Sequence, residues 1–298
     1  MNILITGGTG LVGRPLVKKL EENHHHTVRI LSRSKSENKN EFYWNIAKKE
    51  IDEKAFENLD CIIHLAGANI SERWTEDHKK EMFSSRIDSA NLLREYCEKK
   101  EIHLKAFISS SGINYYGTFT SDQILTEESA IVKNDFLAQL CVEWENAADQ
   151  FSRISDRVVC LRTAMVLSKY SGALPMLKKT VDLNIGSAVG SGQQWMNWIH
   201  IDDLVKMYVT AVENSIINGK YNAVADETPM NKDFMKSLAK VRNKFFLPFN
   251  VPTFVMKSVF GEMSSIILEG TRADNKKIKS QGFDFKYSHL DDAFKNLV

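Results

Sequence analysis

The sequence lacks most of what would commit a chain to a membrane or a nucleic acid. No stretch approaches the roughly 18 apolar residues of a membrane span, and the chain enters directly on "NILIT" with no charged leader ahead of a long apolar region. Net charge is almost absent: 39 basic side chains against 38 acidic ones leave +1, so no global field draws the chain to nucleic acid or to an anionic surface. Cysteine is scarce, and Cys61, Cys97, Cys141 and Cys160 are scattered without C-x-x-C spacing. That pattern reads as reduced core or helix residues rather than a metal or disulfide framework. Three consecutive histidines, His24 to His26, cannot share one side of a helix or strand, and between a predicted helix and a predicted strand they read as a solvated turn. Internal repeats and low-complexity linkers are missing as well. The expectation is a cytoplasmic protein whose partner is a small molecule.

What is present is core. With 43% hydrophobic residues in 298, the chain suits one large α/β unit carrying a smaller lobe. The segments "NILIT", "TVRIL", "DCIIHLA", "KAFISSS" and "RVVCLRT" are short apolar runs, separated by amphipathic helical stretches that include "TEDHKKEMFSSRIDSANLLREYCEKK" and "NDFLAQLCVEWENAADQF". Fully apolar strands alternating with helices predict a doubly wound parallel sheet. Past residue 168 the rhythm changes: a glycine-rich loop, "GSAVGSGQQ", precedes "WMNWIHI", and "GKYNAVAD" is extended. The expected division is a doubly wound domain over 1–225, with a loop insertion at about 169–195, and a smaller C-terminal lobe over 226–298.

Gly7, Gly10 and Gly13 are spaced three apart between the first predicted strand and helix. With Thr9, Leu11 and Val12 they form a turn whose backbone amides can approach a pyrophosphate, helped by the helix N-terminus. A dinucleotide site selective for NAD places a carboxylate after the second strand, whereas this chain has Ser32, Arg33 and Ser34 there. Arg33 suits a 2′-phosphate, which favours NADP(H), and the two serines can add hydrogen bonds. Leu65, Ala66 and Gly67 end the next predicted strand in small residues, either to admit the cofactor or to allow tight helix–sheet packing.

The ordered set "TGGTGLVG", "IIHLAGA", "FISSSGINYYG", "LRTAMVLS" and "WIHIDDL" resembles the extended short-chain dehydrogenase/reductase superfamily. The segments "ERWTEDHKKEMFSSRIDSANLL", "LCVEWENAA", "GSGQQWMNWIHIDD" and "FGEMSSIILEGTRADNKKIKSQGFDF" narrow the resemblance to its atypical branch, the sugar-nucleotide epimerase (YfcH-like) family with a C-terminal domain of unknown function. The resemblance implies a Rossmann-type fold and NADP(H), with a homodimer as the superfamily's habit, while the substrate does not come with it; a small carbonyl or hydroxyl compound, nucleotide sugars included, is the expectation for an enzyme. It also implies a tyrosine acid with a lysine four residues later. Here that helix puts Leu137 and Cys141, or in a shifted register Phe136 and Leu140, at the two positions.

The resemblance makes Ser111 the candidate for holding the substrate oxygen, with Tyr115 or Tyr116 as replacement acids, although aromatic packing explains the tyrosines more readily. Ser85 takes the place of an asparagine near the active-site helix and is counted with the cofactor-binding residues. Glu127 and Glu128 precede that helix, where capping or solvation also accounts for them. Arg73 and Trp74 offer a cation and a flat apolar face to a substrate, and Gly190, Gly192 and Gln193 are expected at the pocket mouth. Asp202 is positioned to cap a helix, so His200, Asp202 and Asp203 read as structural. Two functions stay open: an NADP(H)-dependent epimerase, dehydratase or reductase, or a catalytically reduced NADP(H) sensor.

Overall fold

Runs such as Ile3, Leu4 and Ile5 are apolar on both faces, so they can sit only where helices cover the sheet on either side. The computed structural model describes residues 1–22 and 25–298, and it places these runs centrally. Its strands are β1 (Asn2–Thr6), β2 (Thr27–Ser32), β3 (Glu41–Asn45), β4 (Glu50–Ile51), β5 (Cys61–His64), β6 (Ala106–Gly112), β7 (Ile124–Leu125), β8 (Val158–Thr163), β9 (Met165–Leu167), β10 (Trp198–His200), β11 (Gly219–Ala223) and β12 (Arg272–Ala273). Eight of them form the main sheet in the order β11-β8-β6-β5-β1-β2-β3-β4, parallel throughout except for the β3–β4 pair. The chain reverses its direction of growth between β1 and β5. Such a switch point opens a crevice at the carboxyl ends of the strands.

Helices α1 (Gly13–Glu21), α2 (Glu76–Phe83), α3 (Ser89–Lys99), α4 (Phe136–Asp149), α5 (Ala173–Asp182), α6 (Ile201–Glu213), α7 (Asn231–Val241) and α8 (Thr253–Phe260) follow in chain order. Leu16 and Leu20 of α1 share a core with Leu204, Met207 and Tyr208 of α6 over Ile3 and Ile5. On the opposite face Leu92 and Leu93 of α3 and Ala147 and Ala148 of α4 cover Leu4, Ile62 and Phe107. The sheet is therefore wound on both sides, as the alternation of elements predicts. The four cysteines are free and buried within these layers. No helix among the described residues is long and apolar enough to cross a membrane.

Three expectations change. The predicted helix over 75–100 is broken by a π turn, Ser84–Asp88, which separates α2 from α3. The cap at the start of α6 is His200, whose Nδ1 accepts from the Asp202 amide at 3.0 Å. Asp202 therefore does not cap, and Asp203, buried, accepts instead from the Lys286 and Tyr287 amides at 2.7 and 2.9 Å. The small lobe is not confined to residues after 225, since Leu167, Leu174 and Trp198 share its core with Phe234, Leu238 and Phe294. Of the histidine run, His24 lies outside the described residues, and the His25 carbonyl accepts from the Met1 ammonium at 2.7 Å.

Candidate functional site

The turn after β1 is built from close backbone approaches. A Cβ on Gly13 would stand 2.1 Å from the Gly7 carbonyl oxygen, and one on Gly7, whose φ is +69°, would stand 2.8 Å from the Leu65 carbonyl oxygen. These two glycines are demanded by the protein's own packing. Gly10 differs: it is exposed, and a Cβ there would meet only Gly7 O, at 3.2 Å. Its outer face is bare. Thr9 is exposed as well, and Leu11 and Val12 are half-buried. α1 begins without a side-chain cap from Val12 and without an acid in its first turn, which leaves the positive end of the helix for an external anion. The residues thus fit a dinucleotide pyrophosphate.

Thr6 ties this turn to the end of β5, because its Oγ1 accepts from the Leu65 and Ala66 amides at 3.1 and 3.0 Å. After β2 the residues run Ser32, Arg33, Ser34, Lys35, Ser36 with no carboxylate among them. Ser32 Oγ accepts from the Ser34 amide at 3.2 Å, holding a turn that leaves Arg33 exposed. The expected cofactor residues are therefore gathered along one edge, from β2 across β1 to β5.

On the other side of the switch point the polar groups are spent on one another. Ser111, nearly buried, donates to Glu145 Oε1 at 2.8 Å. Glu145 also accepts from Arg162 Nε and Nη2, at 2.8 and 2.9 Å, as a bidentate buried pair. Burial works against the Arg162 charge, yet bonding to Glu145 outweighs it and the pKa is raised. Tyr115 is half-buried, and the Arg162 guanidinium lies 3.5 Å from its ring centroid.

Tyr116 cannot act as the proposed replacement acid. It is fully buried. Its hydroxyl lies 2.8 Å from both the Thr126 carbonyl and Asn222 Oδ1, one proton serving the two, and accepts from Arg162 at 3.0 Å. Burial, against the pull of Arg162, pushes the phenol up to about 12. Glu127 accepts from the Asn222 amide at 2.7 Å, and Glu128 is exposed beside Lys277.

Phe136, Leu137, Leu140 and Cys141 all pack inward or against neighbouring rings. Of these, Cys141 faces the end of β6, its Sγ 3.2 Å from where a Gly112 Cβ would stand. Burial pushes its thiol up to about 12. Ser85 sits in the π turn, accepts from the Ala68 amide at 2.8 Å and donates to the Met82 carbonyl, so its polarity pins the loop after β5.

The substrate-side candidates lie in two segments, one after β5 and one in the glycine-rich loop. Trp74 donates to the Ile70 carbonyl at 2.9 Å, packs with Phe136 and borders the small cluster of Met82, Leu137 and Leu140 that Ile266 also joins, while Arg73 beside it is exposed. On the far flank, Gln193 is exposed, and its neighbour Gln194, buried, donates to the Val189 and Ile267 carbonyls at 3.1 and 2.9 Å. A Cβ on Gly190 would stand 2.9 Å from Leu268 Cδ2. Residues 190–194 thus lie against the turn 265–268, and Trp74 shares a hydrophobic cluster with Ile266 of that turn.

Sequence reasoning passed over Arg86. It is 6% exposed, and it lies against Gly67, where a Cβ would come within 2.9 Å of its Cζ and Nη2. Part of the smallness at position 67 therefore belongs to this arginine. The available signal was its place on the apolar stripe formed by Met82, Ala90, Leu93 and Cys97.

Residues 3–223 match the NAD dependent epimerase/dehydratase family, and residues 251–297 match a domain of unknown function, DUF1731. The Epimerase family protein SAR0825 of Staphylococcus aureus is 36% identical over 299 residues, covering 99% of this chain and 98% of its own. The human epimerase family protein SDR39U1, solved with NADPH, superposes with a TM-score of 0.87 at 28% identity over 100% of this chain and 99% of its own. A nucleoside-diphosphate sugar epimerase from Corynebacterium glutamicum gives a TM-score of 0.81 at 30% identity, over 100% of this chain and 58% of its own.

Proposed function

We propose, for a chain that belongs to the NAD-dependent epimerase/dehydratase family, an NADP(H)-dependent oxidoreductase or epimerase-like activity on a small carbonyl or hydroxyl compound. Nucleotide sugars are the class to test first. The observation that carries this reading is the bare outer face of Gly10 at an uncapped helix start, with Arg33 and no carboxylate following β2. Gly7, Gly10 and Gly13 would hold the pyrophosphate, Arg33 with Ser32 and Ser34 the 2′-phosphate, and Leu65 to Gly67 would border the cofactor. When bound, the nicotinamide supplies the hydride chemistry.

Tyr115 is the remaining phenol for proton supply, and Ser111 would meet a substrate oxygen through its lone pairs while donating to Glu145. Arg73, Trp74 and Gln193 would border the substrate from the small-lobe side. A second reading, a dinucleotide-binding sensor without turnover, draws support from the burial of Leu137 and Cys141 at the positions of the missing pair. One experiment separates them. Purified protein with NADPH is offered a panel of carbonyl compounds and nucleotide sugars, and oxidation of NADPH or conversion of a sugar supports the enzyme. Titration of NADPH against NADH in the parent and in Arg33→Ala completes the test. The variant should lose about 1.5–3 kcal/mol of NADPH binding, the worth of a charge-assisted bond, and little of NADH. Equal constants for both cofactors in the parent would remove the NADP preference.

A further inference from the structure

A buried guanidinium ordinarily has a carboxylate beside it, because an unpaired charge in a low-dielectric interior is costly. Arg162 obeys the rule with Glu145. Arg86 does not: among the described residues no carboxylate forms an ion pair with it. Its bonds go to two backbone carbonyls, Met82 O from Nη1 and Ala68 O from Nη2, both at 3.0 Å, with a long contact to Ser85 Oγ. Its Nε, buried, has no partner. The nearest rings and thiols neutralise nothing. The Trp144 ring lies 4.9 Å from its Cζ, and Cys141 keeps its proton. Burial lowers the Arg86 pKa to about 10, so the group is still charged near neutrality.

The position is held deliberately. Trp144 Nε1 donates to His64 Nδ1 at 3.3 Å, which leaves the His64 proton on Nε2 to reach Ser89 Oγ at 2.7 Å, and Ser89 passes its own proton to the Ser85 carbonyl at 2.7 Å. This chain links α4, β5 and the π turn, the three elements that surround the guanidinium. The π turn contributes the extra residue that lets Arg86 face inward while α3 keeps Leu92, Leu93 and Cys97 in the core.

We propose that Arg86 is the fixed cation of the dinucleotide site, reserved for electron-rich oxygens of the nicotinamide half of the cofactor. The inference rests on the dinucleotide reading given above. A dinucleotide lies across a switch point. If its pyrophosphate is at the β1 turn and its adenosine side is toward Ser32–Ser34, the other half must fall on the β5 and β6 side. Gly67, exposed at the end of β5, has the guanidinium against it, and Cys141 leaves that side of α4 without an ammonium. Arg86 supplies the missing positive charge from a different helix.

The test compares NADPH with adenosine 2′,5′-bisphosphate, which lacks the nicotinamide half, by calorimetric titration of the parent, Arg86→Met and Arg86→Lys. The Met variant should bind NADPH about tenfold or more weakly and the bisphosphate within about twofold of the parent, with partial recovery in the Lys variant. Unchanged NADPH constants in a folded Met variant overturn the inference alone, as does an equal loss for both ligands. A parent that binds neither ligand overturns the dinucleotide reading and this inference together. Nitrogen-labelled arginine gives a second readout that does not need the Met variant to fold. The Nε–H signal absent from the Lys variant should move when NADPH is added and stay still with the bisphosphate, and a signal indifferent to NADPH rules Arg86 out.

Discussion

The two flanks of the crevice are made by different means. On the β1 and β2 flank the protein removes side chains, so that Gly10 offers bare backbone and α1 starts without a cap. On the β6 and β8 flank it fills the space with polar side chains that satisfy one another: Ser111, Glu145, Arg162 and Tyr116 form one closed network. The first flank leaves backbone open at its surface, and the second spends most of its polar atoms on one another. Mutations on the two flanks are therefore expected to act differently, on dinucleotide binding at the first and on stability at the second.

The sharpest way to break this contrast is Gly10→Val. A branched side chain on the bare face should abolish dinucleotide binding, read by calorimetry, while circular dichroism remains that of the parent. Retained affinity in a folded variant would reduce the turn to a structural device. The converse change, Glu145→Gln, should leave the Gly10 face untouched and weaken the fold. It strands a buried Arg162, and removing one partner of a buried pair costs about 3–5 kcal/mol, measurable by urea unfolding. A loss below about 1 kcal/mol would mean that the network is not what holds this flank.

A smaller effect sharpens the comparison through pH. His64 is fully buried, and desolvation, with Arg86 nearby, lowers its pKa to about 3. The folded value lies below the ordinary one of about 6.5, so the unfolded chain takes up the proton first. Stability from this residue is complete above pH 6.5 and falls as the pH drops toward 3, by at most about 1.4 kcal/mol for the first unit. Unfolding titrations at pH 6.5 and 5.5 should show that loss in the parent and a reduced one in His64→Asn.

The glycine flank was legible because local chain geometry makes it. Gly7, Gly10 and Gly13 announce a turn in the sequence itself, and the apolar runs of β1, β2, β5, β6 and β8 announce the sheet. The strand Glu41–Asn45 was not, since Trp44 alone is buried in it, which leaves neither a fully apolar run nor an alternating one to read. The π turn was invisible for another reason: one inserted residue leaves the helical periodicity of 75–100 nearly intact on either side. The closed network was the least legible. Nothing near Tyr116 in the sequence says that Asn222, some hundred residues later, takes its hydroxyl, and so a buried structural phenol passed for an acid.

The core shared by residues 167–198 and 225–298 bears on how the gene can be cut. A fragment ending at residue 225 would carry Leu167, Leu174 and Trp198 with their apolar partners removed, and it would also lose Ile278 and Phe283 from the core beside β1. The Asp203 carboxylate would be left without the two amides of Lys286 and Tyr287. Expression of the nucleotide-binding portion alone should therefore yield aggregates rather than a soluble domain, and any truncation has to keep the two lobes together as a single inseparable unit.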